Sequence, residues 1–483
     1  MRRRLAAAAA LAGLGLAAAG CVASRPAAFV DASVPPSPEK RTAAPMPAAP
    51  PPALPGAPEA GLTLPPPGGP PRTITPVEAV DVALRNNPAT RQAWFRARAA
   101  AAGAGSKRSA WYPTLEADGF FTRQKNAAFS GQTIYYQTTY GPSVLLSWLL
   151  LDFGGRAADV AEADLLLAQA NAAHDAILND VILQVLQAYY GYEGVKSLLS
   201  AQEASLKQAE ENLRAAEERH RAGVATIADV LQARTTASQQ RLAYDSVKGQ
   251  IAVIRGALAT SLGVPANTPV EAGQLPEDLN LDRLTRSVDE LIAMAEEQRP
   301  DLAAARSAAL AAERHVASVR SGFWPTLGGA AGGSRTWFGG SSATNVADLW
   351  SVGLLLRIPV FTGFQTQYNL RKAEAESEAA RAAAVGVEQQ MVQQVWASYY
   401  NVRTAAQKIR TARDLLASAG QSAEVTRGRY TAGVGSILDL LTAESALAQA
   451  RAQEVAARAE YLFSLAQLAH DVGSIEPAVK EAP

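Results

Sequence analysis

Apolar and polar positions follow two different periods along this chain. Between Tyr140 and Leu150 the even positions Tyr140, Val144, Leu146, Trp148 and Leu150 are apolar, while Gly141, Ser143 and Ser147 occupy odd ones. A period of two predicts a strand with one apolar face. The pattern returns with Trp350, Val352, Leu354, Leu356 and Ile358 set against Ser351, Gly353 and Arg357. Weaker alternation over 115–123 and 327–335 predicts a partner strand before each, separated by polar or glycine-rich loops at 125–132 and 339–345. Elsewhere the period is helical. Thr75, Pro76 and Glu78 form a capping-box arrangement that opens a short helix ending before Pro88. Residues 156–221 contain no proline, and as one helix they would run about 100 Å at roughly 1.5 Å per residue. Heptad spacing of Leu199, Leu206, Leu213 and His220, with Ala209 and Ala216 on the same seam, predicts coiled-coil packing. Ile409, Leu416, Ala423 and Tyr430, with Ala412 and Ala419, give the same seam later in the chain.

The recurrence is systematic. Asn87-Pro88 is answered by Arg299-Pro300, and Trp-Tyr-Pro-Thr-Leu at 111–115 by Phe-Trp-Pro-Thr-Leu at 323–327, both prolines displaced by 212. Tyr189-Tyr190 recurs as Tyr399-Tyr400, and the stretch 219–231 as 429–441, each displaced by 210. Each copy reads helix, strand pair, very long helix, Ala-Gly-Val turn, returning helix. A duplicated module over 73–264 and 287–474 is therefore expected, with strands at about 114–153 and 326–361 and long helices at about 156–263 and 364–472. A proline-punctuated connection at 265–286 joins them, and 475–483 is a tail.

The chain of 483 residues carries 45 Lys+Arg against 45 Asp+Glu, so no basic excess exists to neutralise phosphates and no nucleic-acid partner is expected. One cysteine excludes an internal disulfide framework and a cysteine-based zinc site. Met1 and Arg2, Arg3 and Arg4 precede an apolar run that is too short to span a bilayer and reads as a signal peptide over 1–20. Small residues Ala18, Ala19 and Gly20 then precede Cys21 in a pattern resembling a bacterial lipoprotein lipobox, which implies acylation of Cys21. Val22 after the cysteine, by the same resemblance, favours outer-membrane sorting. From Pro26 to Pro71 the chain holds 16 of its 28 prolines, a density expected to make 21–72 an extended tether between lipid and fold.

The strand pairs admit two readings, a sheet facing lipid or one packed on helices. Aromatic residues Phe120, Phe121, Tyr135, Tyr136, Trp148 and Phe153, then Trp337, Phe338, Trp350, Phe361 and Phe364, cluster near strand ends as in an interfacial girdle. Four strands cannot close a barrel in one chain, and open edges in lipid leave backbone groups unpaired. A membrane sheet therefore requires several chains sharing one barrel.

The two entry motifs, the Gly-Gly or Thr-Gly turn after each second strand, and above all R-[HY]-x-A-G-V-x-[ST]-I-x-D-[VL]-L at 219–231 and 429–441 closely resemble the TolC family of outer-membrane efflux proteins over about 75–473. With Cys21, the likeness is to the lipoprotein branch serving tripartite pumps of the resistance-nodulation-division type. The resemblance implies a membrane α+β fold: a homotrimer whose chains each give four strands to a 12-stranded β-barrel continued by an α-helical barrel into the periplasm. It implies, too, that Gly223, Val224 and Thr226, with Gly433, Val434 and Ser436, dock a periplasmic adaptor. Asp229 and Asp439 would form carboxylate rings at a closed aperture, and Tyr430 would pair with Asp229 to latch it. Gly435 and Thr442 stand where the family has a gate arginine and a second aspartate ring. Read from the residues alone, the same aspartates lie at starts of helices, where carboxylates stabilise caps.

Phosphate-loop, zinc-protease and nucleophile-elbow motifs are absent from the sequence, and His174, His220, His315 and His470 share no metal-ligand spacing; they read as surface or seam residues. No catalysis and no cofactor are expected. The function implied is a passive outer-membrane export duct for drugs or other small molecules, fed by an inner-membrane transporter of the resistance-nodulation-division or ABC type. The alternatives are a type I protein-secretion duct, a periplasmic coiled-coil adaptor, and a lipid-anchored structural coiled coil.

Overall fold

The computed structural model describes residues 24–42, 71–128, 133–273, 276, 279–281, 284, 286–339 and 344–474. The leader, Cys21, the segment 43–70 and the tail lie outside the described residues. Helix α1 (Ser24–Ser33) and strand β1 (Arg72–Ile74) come first, then α2 (Pro76–Asn86), α3 (Pro88–Arg108), β2 (Thr114–Ala128), β3 (Thr133–Leu151), α4 (Gly155–Arg221) and α5 (Ile227–Ser261). After β4 (Val270–Ala272) the order recurs as α6 (Val288–Gln298), α7 (Pro300–Ser321), β5 (Thr326–Gly339), β6 (Thr344–Arg357), α8 (Gln365–Thr431) and α9 (Ile437–Val472). The long helices α4 and α8 both contain 67 residues. Contacts divide the chain into two units: Met1–Val34, Arg96–Asn171 and Ala303–Val385, and Pro35–Phe95, Ala172–Leu302 and Gly386–Pro483.

The first unit holds the sheet, ordered β2-β3-β5-β6 and antiparallel throughout. Register aligns Leu115 with Leu146, Ala331 and Val352, and Phe121 with Tyr140, Trp337 and Val346, so one face is apolar across all four strands. The other face carries Asp118, Ser143 and Ser334 in one row. No helix covers the apolar face at β6, where Trp350 is 83% exposed, Val352 74% and Leu354 72%. Strands β2 and β6 are the two open edges, of 15 and 14 residues. Strand β2 runs further than the alternation suggested. Residues 125–128, expected in a polar loop, extend the ladder through Lys125 with Tyr136 and Asn126 with Tyr135; pairing across the hairpin outweighs weak strand propensity.

Arg156 fastens the end of β3 to the start of α4. Its guanidinium donates to Leu149 O at 2.6 Å and Leu150 O at 3.1 Å, lies 4.5 Å over the Trp111 ring, and pairs with Asp152 at 3.3 Å.

The expected tether is corrected over residues 24–42. Helix α1 packs Phe29, Val30 and Val34 into a shallow groove floored by Ala97, Ala101, Ala104, Ala163 and Leu167, and Asn171 Nδ2 donates to Ser33 O at 2.9 Å. Pro26 falls in the first turn, where its missing N–H is harmless, and Pro35, Pro36 and Pro38 follow the helix end. Proline density averaged over the whole segment hid that placement.

In the second unit, residues 35–42 continue along the helices. Trp94 Nε1 donates to Pro35 O at 2.8 Å, His174 Nε2 to Pro38 O at 2.8 Å, and Thr42 N to Asp175 at 2.9 Å. His174 is fully buried, which corrects its reading as a surface or seam residue: the docked segment covers it. Strands β1 and β4 pair in parallel, Arg72 with Val270 through Ile74 with Ala272. Tyr189 Oη donates to Ile74 O at 2.9 Å and accepts from Gly273 N at 3.3 Å, which joins the inter-repeat connection to α4. Gly194 serves close approach, since a Cβ there would lie 3.1 Å from that of Ala459. The seam residues Leu206, Ala209 and Ala216 are buried, as are Ile409, Ala412, Ala419, Ala423 and Tyr430. Leu199, Leu213 and Leu416 of the seams are half-buried, and His220 is exposed beside the turn with its ring bonded to Ala225 O at 2.9 Å, because α4 ends one residue later.

Two titratable groups in this unit resist alkali poorly. Burial raises the Glu193 carboxyl from 4.5 to about 7, against the opposing effects of Tyr189 and Lys196. Burial alone would lower His470, but hydrogen bonds and charge from Asp180 and Asp471 prevail and raise it from 6.5 to about 9. Both groups bind protons more tightly when folded. Their contributions are therefore complete below 4.5 and 6.5 respectively, and are lost as pH rises through about 7 and 9. The thermal midpoint of the purified protein is expected to fall with pH across this range; Glu193→Gln should flatten the lower part of the curve and His470→Gln the upper part. Variant curves parallel to the parent's would reject the assignment.

Candidate functional site

The two helical turns have closely related geometry. Helix α4 ends with Gly223 at φ +74° and α8 with Gly433 at φ +78°, a left-handed backbone that glycine adopts without strain. Val224 N donates to Arg219 O at 2.9 Å and Gly223 N to His220 O at 2.9 Å; Val434 N and Gly433 N repeat this to Arg429 O and Tyr430 O at 3.0 and 3.1 Å. These are Schellman closures, which satisfy carbonyls orphaned at the helix ends. Returning helices begin at caps. Thr226 Oγ1 accepts from Asp229 N at 3.2 Å while Asp229 Oδ2 accepts from Thr226 N at 2.8 Å. In the second turn Ser436 Oγ accepts from Asp439 N at 3.2 Å, and the reciprocal bond that completes the first box is not among its contacts. Asp439 is exposed and Asp229 half-buried.

Each turn presents apolar side chains to solvent. Val224 is 67% exposed and Val434 69%, with Ile227 and Leu438 exposed beside them. Behind the turns, Ala216, Val230 and Ala233 of the first hairpin form one buried cluster with Tyr430, Ile437, Leu440 and Leu441 of the second. The cluster brings both sets of predicted site residues to one end of the second unit.

Within the chain, the structure does not bring Asp229 and Tyr430 together as a latch. The Asp229 carboxylate is engaged at its own helix cap, and the buried Tyr430 hydroxyl has no hydrogen-bond partner among the described residues. Tyr430 is held instead by Arg219, whose Nη1 donates to Tyr430 O at 2.7 Å and whose Cζ lies 4.6 Å over the ring. Sequence reasoning missed Arg219, although it opens the repeated motif. It also missed the pairs closing each hairpin, Arg234 with Glu217 at 3.0 Å and Arg427 with Glu444 at 2.5 Å. Cys21 lies outside the described residues.

Among the described residues no group of His, Cys, Asp and Glu could hold a metal ion. A hollow of about 1120 Å³ beside the inter-repeat connection, lined by Leu281, Leu284, Tyr399, Arg403, Gln407 and Lys408 among others, contains none of the turn residues. Also among the described residues, no helix is long and apolar enough to cross a membrane.

Arg219→Ala is expected to destabilise the purified protein by about 1 kcal/mol, through the lost hydrogen bond and cation–π contact. Tyr430→Phe removes a hydroxyl that bonds nothing and should stay within about 0.5 kcal/mol of the parent. Denaturant unfolding checks both, and the reverse ranking would show that the hydroxyl carries the contact.

The family described as outer membrane efflux protein matches residues 79–264 and 291–474. Protein CyaE of Bordetella pertussis is 29% identical over 414 residues, covering 84% of this chain and 85% of that protein. Outer membrane protein OprJ of Pseudomonas aeruginosa is 29% identical over 379 residues, covering 76% and 77%. Among solved structures, the outer membrane protein VceC of Vibrio cholerae superposes with a TM-score of 0.74 at 22% identity, covering 82% of this chain and 96% of that one.

Proposed function

Because the chain belongs to the outer membrane efflux protein family, we propose that it is the passive outer-membrane duct of a tripartite export system for drugs or other small molecules. The observation that carries this reading is the sheet: two long open edges and one largely apolar face left uncovered. A transmembrane strand needs about 9–11 residues, and the strands here have 14 to 19. In lipid the edges of β2 and β6 need partners, because no water is present to satisfy their backbone groups. Three chains pairing β2 with β6 of the next give a closed 12-stranded barrel. The same symmetry gathers three copies of α4, α5, α8 and α9 into a helical tunnel. A periplasmic adaptor would need one helical hairpin flanked by lipoyl-like and barrel halves, whereas this chain has two helical hairpins and two strand pairs, and a pore-free coiled coil has no use for an uncovered apolar face.

The turns supply the docking surface. Gly223, Val224 and Thr226 with Gly433, Val434 and Ser436 meet a periplasmic adaptor, and the exposed valines give it apolar knobs on a backbone set by glycine. An inner-membrane transporter of the resistance-nodulation-division or ABC type drives transport, and the duct itself performs no chemistry. Asp439, exposed and free of the reciprocal cap bond, is the carboxylate that three chains would turn towards the aperture. Asp229 supports it by fixing the neighbouring helix start. Acyl chains on Cys21 hold the assembly to the outer membrane.

The purified protein should migrate as a heat-labile trimer on a semi-native gel and partition with the outer membrane; a monomer in the soluble periplasmic fraction rejects the duct. Val224→Asp together with Val434→Asp leaves the glycine turns unaltered. This double variant is expected to abolish efflux, read as drug susceptibility of the producing cells, with trimer yield unchanged. Unchanged efflux would remove the docking assignment.

A further inference from the structure

The apolar face of the sheet changes character at its hairpin end. Phe121, Tyr140 and Trp337 form an aromatic row across three strands, with ring centroids 6.4 and 5.7 Å apart. One step nearer the hairpin end, on the same face, stands Arg123, paired with Thr138, and one step further Lys125, paired with Tyr136. Both cations are exposed. Lys125 Nζ lies 5.9 Å from the Tyr136 ring, and neither cation has an acidic partner among the described residues. On the helix side of the aromatic row, Arg335 is neutralised by Asp348 at 3.6 Å. Over the same span the opposite face carries no charged group among the described residues: Thr122, Gln124, Asn126, Gln137 and Thr139 stand there with Tyr135 and Phe338. Unpaired positive charge at this end is thus confined to the face that is otherwise apolar.

We infer that Arg123 and Lys125 form a binding site for the phosphate groups of an outer-leaflet lipid whose acyl chains lie against the apolar face below. This rests on the duct reading, which puts that face in lipid and the hairpin ends at the outer surface. Aromatic rings settle at the level of the headgroups, so cations one and two steps beyond them sit at the level of lipid phosphates. A basic side chain on a lipid-facing strand is costly near the bilayer midplane and nearly neutral at the interface. There it gains from an anionic headgroup, and the arginine fork can take two phosphate oxygens at once. A pore-lining role would need the same charges on the polar face.

The test reconstitutes the full-length protein in phosphatidylcholine vesicles containing a minor fraction of bisphosphorylated lipid A, then measures lipid retained per chain by native mass spectrometry. Lipid A should be enriched over phosphatidylcholine, and its dephosphorylated form should not. Arg123→Gln with Lys125→Gln should weaken enrichment about 30-fold. Arg123→Lys, which keeps the charge and loses the two-oxygen fork, should weaken enrichment less than the double variant; this second variant keeps the test decisive if the double variant folds poorly. Equal enrichment by the double variant, equal retention of dephosphorylated lipid A, or displacement by excess inorganic phosphate overturns the site. Single-channel conductance of the same preparation separates the two readings. Conductance without enrichment removes the lipid site alone, whereas failure to insert removes both.

Discussion

Every backbone N–H and C=O in a sheet needs a partner, and an open sheet of four strands always leaves two edges short of them. In this protein those edges, β2 and β6, border a sheet whose exposed face is apolar from Leu115 across to Leu354. In water such a face would bury itself against helices; here no helix covers it at β6. In lipid the face needs no cover but the edges need closure. Under the proposed function both demands are met at once by other copies of the chain. Each chain also carries two helices of 67 residues, α4 and α8.

Helices of that length cannot bury one face along their whole run in a single compact core. Their middle parts pack into clusters of large residues, through Val181, Val185 and Tyr189 on α4 and Met391, Val395 and Ile409 on α8. Towards the turns they rely on seams of small residues at which helices approach closely, such as Ala209 and Ala216 on α4 and Ala419 and Ala423 on α8. The alanine-rich composition therefore follows from the architecture. A few long polar side chains fasten the places where one kind of structure gives way to another. Arg156 holds the strand-to-helix junction, Tyr189 ties the inter-repeat connection to α4, and Arg219 joins the two turns. Each bonds backbone carbonyl oxygens, so each controls chain path more than charge.

The docked segment 24–42 alters how the proposed acyl anchor at Cys21 relates to the fold. Helix α1 begins three positions after Cys21, so on the acylation reading the lipid is held close to the α3 and α4 surface. Most of the proline-rich stretch then follows the docked segment in sequence. It does not separate the anchor from the first packed helix. The same contacts account for the buried His174, whose ring would otherwise face water.

Much of the architecture was legible in the residues because it is local and periodic. Alternation at 140–150 and 350–358, the seams at seven-residue spacing and the Ala-Gly-Val turns each encode an element within a short window, and the repeat doubles every signal. Thr75, Thr226 and Ser436 announced helix starts for the same reason, since a cap engages an N–H three residues away. What depends on partners distant in sequence was not legible. Pairing of β3 with β5, the parallel contact of β1 with β4, the docking of Phe29 and Val34, and the engagement of Tyr430 by Arg219 join residues from about 70 to more than 200 positions apart. Sequence by itself thus determined the strand pairs and long helices of the two repeats, their order and the chemistry offered at the turns. Only the tertiary structure decided which strand edges stay open, which histidine is buried, and that Asp229 spends its carboxylate on its own helix while Tyr430 answers to an arginine, because those outcomes are settled by competition among contacts that no local pattern records.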